Sequence, residues 1–280
     1  MAPPRIDSHQ HFIDISRGVH DWIRDDMAVL RRDLGPDQLR PLLAASGVDG
    51  TVLVQASQTW DENACMINEA KRAGFVRGIV GWLDLEAPDA VERLEELARE
   101  PLIKGVRPIL QGMSDDNWVH RDKVVAALSH LPRLNLCLDA LIQPRHLGVI
   151  ERLARQLPDL PIVIDHGANP EIAGRSEPDP AWRRGLAACA GHQQVMCKLS
   201  GLATHDVEGW RQSGSLDASV NDLLDIFGTD RLMWGSDWPV LNLAADYAGW
   251  VERSTGLAQS LSTDERAALF GGTATSFYKL

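Results

Sequence analysis

Short apolar, β-branched runs alternate with helix-period segments along this chain, and that alternation restricts the fold more than any other feature. Strand-like runs lie at 5–12, 50–55, 76–83, 103–110, 135–142, 161–166, 194–200 and 231–237. Most are continuously apolar, as strands buried on both faces of a parallel sheet must be. Helix-period segments fall between them. Residues 36–46 carry Leu39, Leu42 and Leu43 on one face, and Asp61 is placed to cap a helix that closes at Gly74. Pro88 suits a first helical position, followed by Val91, Leu94, Leu97 and Ala98. Segments 144–156, 179–190, 218–227 and 263–271 read as further helices. Eight strands alternating with helices predict an α/β fold, a (β/α)8 TIM-like barrel in one domain spanning 1–280. An open doubly wound sheet would carry a Gly-rich phosphate turn after its first strand, and here Phe12-Ile13-Asp14 follows.

Composition narrows the class. With 280 residues, 44% hydrophobic and 24% charged, the chain can bury a large core without disulfides. A net charge of -11 argues against a general nucleic-acid or anionic-membrane binder. No apolar run approaches the roughly 20 residues of a membrane span. Met1-Ala2-Pro3-Pro4-Arg5 leads into the first strand without a signal-peptide pattern. Cys65, Cys137, Cys189 and Cys197 show no close pairing, which predicts reduced thiols in a cytoplasmic protein. A monomer and a homodimer both fit.

In such a barrel the reactive residues lie at the C-terminal strand ends. The first strand ends Asp7-Ser8-His9-Gln10-His11, and a period of two puts Asp7, His9 and His11 on one face. Two imidazoles there can bind one divalent ion. The sixth run ends in Asp165-His166-Gly167 and the eighth in Gly235-Ser236-Asp237-Trp238-Pro239. His166 is a third ligand candidate. Asp237 can hold a metal, take a proton from water or cap the next helix. On the fourth run, Lys104 and Arg107 have opposite parity, and Arg107 is nearer the mouth. Its fork suits a carbonyl, carboxylate or polyol oxygen, or else a buried ion pair. Nine Trp stand against two Tyr and five Phe. Trp60, Trp82, Trp118 and Trp238 fall near strand ends, where indole faces suit sugar C–H surfaces. Gln55 and Asp84 are placed to bind hydroxyls.

Taken together, these motifs resemble the amidohydrolase superfamily, and within it the amidohydrolase-2 branch with its sugar and pyrone lactonases. The resemblance runs from about Arg5 to Leu280. It implies a hydrolase with Asp237, His166 and Arg107 as catalytic groups, and His9, His11, His166 and Asp237 around at most one zinc ion. Some lactonases of the branch work without a metal, so its presence stays open; no organic cofactor is implied. Binuclear members use a carboxylated lysine on strand four and a histidine on strand five. Here Lys104 lies early in its strand and the fifth run has no histidine. Asn169 stands where a lysine is common after strand six. The expected substrate is a small sugar lactone, opened by water that Asp237 activates. The alternatives are a pyrone- or muconolactone-type aromatic catabolite, or a metal-dependent decarboxylation. A non-catalytic binding barrel would be expected to lack at least one of His9, His11, His166 and Asp237.

Overall fold

Eight parallel strands form one sheet in sequential order: β1 (Ile6–Gln10), β2 (Gly50–Val54), β3 (Val76–Gly81), β4 (Ile103–Val106), β5 (Cys137–Ala140), β6 (Ile162–Ile164), β7 (Val195–Leu199) and β8 (Leu232–Trp234). This computed structural model describes residues 3–280, so Met1 and Ala2 of the N-terminal stretch lie outside the described residues. The sheet curls until its ends meet. Beyond β8, Asp237 N donates to His9 O at 2.8 Å, and His11 N donates to Trp238 O at 2.7 Å. The backbones of the first- and eighth-strand motifs thus make the closing seam of the (β/α)8 barrel.

The helices coat the outside: α1 (Pro36–Ser46), α2 (Trp60–Ala73), α3 (Ala90–Leu97), α4 (Asp122–Leu128), α5 (Leu147–Gln156), α6 (Pro180–Ala190), α7 (Gly214–Phe227) and α8 (Tyr247–Leu257). Their apolar stripes pack on the outward strand residues, such as Leu53, Ile79 and Leu138. Inside the barrel, Ile6, Val52, Val54, Val80, Val163 and Met233 form a second apolar cluster. Below it α9 (Thr263–Ala267), a π-helical turn Ala268–Gly272 and α10 (Thr273–Tyr278) close the floor. Among the described residues no helix is long and apolar enough to cross a membrane, and Cys65, Cys137, Cys189 and Cys197 are free.

Several boundaries differ from the sequence expectation. Asp61 does not cap α2, which starts at Trp60 after Thr59; Asp61 sits in the first turn, where its charge meets the helix dipole. Pro88 lies before α3, which begins at Ala90. The 144–156 segment opens with a 3-10 turn, Pro144–His146, before α5. α7 starts at Gly214 because Ser213 caps it, accepting from Leu216 N. The final helix breaks at Gly271, where an added Cβ would lie 1.9 Å from Pro4 O, and a further helix, α10, follows.

Candidate active site

The first-strand motif does not keep one face throughout. The pairing of β1 with β2 slips between Asp7 and Gln10, and a slip of that kind reverses the alternation. Asp7 therefore turns away from the barrel axis. It accepts from Ser236 N at 2.8 Å, Ser236 Oγ at 2.6 Å and Tyr247 Oη of α8 at 3.0 Å. Burial raises its pKa to about 6 despite those donors. It fastens β1 to the β8 loop, while His9 turns inward.

Four side chains from three strand ends converge at the mouth. His9 Nε2 is 3.2 Å from His11 Nε2. Asp237 Oδ1 lies 3.3 Å from His11 Nε2, 3.7 Å from His9 Nε2 and 3.8 Å from His166 Nε2. All four are buried. Nδ1 of His11 donates to Val54 O at 2.8 Å, which leaves its Nε2 bare. His166 Nδ1 meets Ser200 Oγ at 2.8 Å. His166 and Asp237 both have left-handed backbones, with φ of 53° and 61°. Such conformations cost about 1–3 kcal/mol each and persist only where surrounding structure imposes them. Gly201 makes room for this arrangement: φ is +69°, and a Cβ there would lie 2.7 Å from His166 Nδ1.

Charge is matched within the cluster. Burial works to raise the Asp237 pKa, but His166, His11 and Arg107 outweigh it and hold the carboxyl below its usual value. Burial depresses His166, and burial with the Lys198 charge depresses His9 further, so both rings are neutral. Arg107 is 4% exposed, and its Nη1 lies 3.3 Å from His9 Nε2 and 3.4 Å from Asp165 Oδ2. Gln55 holds Arg107 from both sides. Its Nε2 donates to Arg107 O at 2.9 Å, and its Oε1 accepts from Arg107 Nη2 at 3.3 Å. Lys104 is far from this cluster, its ammonium donating to Lys279 O at the floor.

Beneath His9 lies a layer the motifs did not reveal. Lys198 of β7 is fully buried, with its Nζ 2.5 Å from Asp139 Oδ2, 3.0 Å from Asp165 Oδ1 and 3.0 Å from His9 Nδ1. Tyr278 Oη donates to Asp139 Oδ2 at 2.8 Å. Burial lowers the lysine pKa, but Asp139 and Asp165 reverse that and raise it. The signal was present in the sequence: Asp139 and Lys198 are single charges inside apolar strand runs, which are rarely buried unpaired. His205, also missed, neighbours His166. It lies 3.0 Å from Asn169 Oδ1, and burial and the neighbouring His166 hold its pKa at about 4. Asn169 in turn donates to Ile142 O at 2.7 Å.

The aromatic candidates have other contacts. Trp118 is buried and donates to Glu86 Oε2 at 2.7 Å, and Trp238 is 1% exposed within the main core. Trp60 stacks under the Arg93 guanidinium in the helix layer. Trp82 is half-buried, its backbone held by Asn63; Asp84 is exposed and accepts from Glu86 N at 2.9 Å.

The donor set suits a single divalent ion. Ligand atoms about 2.0–2.1 Å from a tetrahedral zinc lie about 3.3 Å apart, and the separations of 3.2, 3.3, 3.7 and 3.8 Å bracket that value. His9, His166 and Asp237 offer donor atoms all within 4.8 Å of one another. A parallel eight-stranded barrel with this cluster at its C-terminal mouth defines the class of barrel hydrolases that handle water between imidazoles and a carboxylate.

Within that class the chain belongs to the amidohydrolase family, whose model matches residues 6–280. Two curated relatives are L-fucono-1,5-lactonases. The one from Burkholderia ambifaria is 40% identical, covering 99% of this chain and 96% of the relative. The one from Burkholderia multivorans is 36% identical, covering 100% and 97%. A solved amidohydrolase from Burkholderia multivorans with bound zinc superimposes with a TM-score of 0.93 at 34% identity, covering 99% of both chains.

Proposed function

We propose that this chain opens a sugar lactone to its acid, with Asp237 as the proton acceptor for water. One observation carries the reading: Asp237 faces three imidazoles, one of which lies 3.3 Å from a buried guanidinium, in a chain 40% identical along its length to an L-fucono-1,5-lactonase.

Asp237 is ionised at neutral pH and takes a proton from a water lying against it. The hydroxide adds to the lactone carbonyl carbon, and the carbonyl π pair moves onto oxygen. Arg107 and His166 flank that oxygen and stabilise its charge, in a buried site where such contacts are worth most. Collapse reforms the carbonyl and breaks the bond to the ring oxygen, which takes the proton back from Asp237. A divalent ion held by His9, His11, His166 and Asp237 would lower the pKa of water and polarise a carbonyl. A cyclic ester needs less leaving-group help than an amide, so a site with one ion or none is compatible with this reaction.

Charge favours a neutral substrate. The cations Arg107 and Lys198 are already faced by Asp139, Asp165 and Asp237. A dicarboxylate would bring two further negative charges without cations to receive them. Trp82 and Asp84, just beyond β3, keep surface for a sugar face and a hydroxyl.

The test is acid release from a panel of fucono-, rhamnono-, galactono- and arabinono-lactones, followed with a pH indicator. Stereoselective turnover is expected. A folded protein inert to every sugar lactone would overturn the reading.

A further inference from the structure

Lys198 has no part in the reaction steps above, yet it touches a residue of the mouth cluster. Its ammonium hydrogen-bonds Asp139 Oδ2 at 2.5 Å and His9 Nδ1 at 3.0 Å, and pairs by charge with Asp165 Oδ1 at 3.0 Å. All four side chains are fully buried. We propose that Lys198 is a positioning residue: it donates to His9 Nδ1 and thereby fixes the His9 proton on Nε2, facing the reacting centre.

The geometry decides between two tautomers. A neutral imidazole accepts at one nitrogen only. His9 has an obligate donor near each: Lys198 at 3.0 Å from Nδ1 and Arg107 at 3.3 Å from Nε2. Arg107 is already held by the carbonyl and side chain of Gln55 and by Asp165 Oδ2. Among the described residues, Lys198 has only Nδ1 as a hydrogen-bond acceptor besides Asp139 Oδ2. The competing arrangement would have Nδ1–H donating to Asp165 Oδ1, which lies farther away at 3.4 Å and already faces the ammonium.

Two consequences follow. With the proton on Nε2, His9 is a hydrogen-bond donor beside Asp237 Oδ1, able to orient the attacking water or the oxyanion. A metal ion at Nε2 would require the tautomer that Lys198 disfavours, so the ammonium weakens metal binding at a set of donors whose spacing otherwise suits it. The catalytic part of this inference rests on the lactonase reading; the tautomer does not.

The experiment is a long-range proton–nitrogen NMR correlation on the full-length, chelator-treated protein carrying 15N-histidine, with His9 assigned by signal loss in His9→Gln. A bare Nδ1 and a protonated Nε2 are expected. A bare Nε2, or two protonated nitrogens, would overturn the proposal whatever the enzyme hydrolyses. The double variant Lys198→Met with Asp139→Asn removes the ammonium and one carboxylate together, so the interior stays balanced. Its His9 should switch to Nδ1–H, and Zn2+ affinity by calorimetry should rise about tenfold or more. Its kcat should fall about tenfold or more at nearly constant KM. A folded double variant with unchanged tautomer and zinc affinity would also sink the idea; if it fails to fold, the wild-type spectrum alone decides. Expected tautomers in a protein inert to sugar lactones would refute the functional reading and leave this one standing.

Discussion

His11 Nε2 and Asp237 Oδ1 lie 3.3 Å apart although 226 residues separate them, because their backbones make the seam that closes the barrel. The geometry of the mouth cluster and barrel closure therefore depend on the same few bonds. The Asp237→Asn variant keeps the shape and removes the proposed proton acceptor. Its kcat should fall by about 10²–10⁴ with an unchanged circular dichroism spectrum. Near-wild-type turnover would exclude Asp237 as the base.

Arg107 reports on where charge develops. Arg107→Ala should lower kcat by about 10²–10³ if the guanidinium faces the oxyanion, with a smaller change in KM. A change confined to KM in steady-state kinetics would make it a ground-state contact instead.

Gly201 is a test of the packing behind His166. Alanine there would sit in a left-handed conformation with its Cβ 2.7 Å from His166 Nδ1. Gly201→Ala should cost about 1–3 kcal/mol in denaturant unfolding and displace His166 enough to lower turnover. Unchanged stability and activity would show that the loop after β7 yields freely.

The acid limb of the kcat/KM profile follows from Asp237. Its pKa is held below the ordinary carboxylate value by His166, His11 and Arg107 acting against burial. A depressed base stays ionised as pH falls, so the acid limb should lie below the ordinary aspartate value of about 3.9. Burial depresses His9 and His166 as well, so both protonate below the ordinary histidine value. A limb near pH 6.5 would assign the controlling proton to a histidine of ordinary pKa.

Metal content is bounded by the interior. The mouth offers one donor cluster among the described residues, and the space beneath His9 is held by the Lys198 ammonium. Elemental analysis after zinc reconstitution should give no more than one ion per chain, and His11→Ala should reduce it. Two tightly held ions would contradict the placement of Lys198.

Much of this was legible in one dimension. Eight apolar runs with helices between them leave little choice but a parallel barrel, because each run must be buried on both faces. Strand ends then nominate His9, His11, Arg107, His166 and Asp237, since all eight C-terminal ends of such a barrel share one mouth. Asp7 was misplaced on that face because alternation assumes a regular strand, and the slip in β1 pairing is set by its neighbour β2. The indoles were ambiguous for a related reason. An aromatic near a strand end packs equally well into the helix layer, as Trp118 and Trp238 do.

What the sequence determined by itself was therefore periodic or additive: the strand count, the layer order, the residues at the mouth and an acidic, disulfide-free chain. What only the tertiary structure decided was pairing across the barrel. Lys198, Asp139, Asp165, His9 and Tyr278 come from five separate segments, and no local period links them. Each is costly to bury alone, and only the closed barrel brings the opposite charges and donors close enough to make burial tolerable.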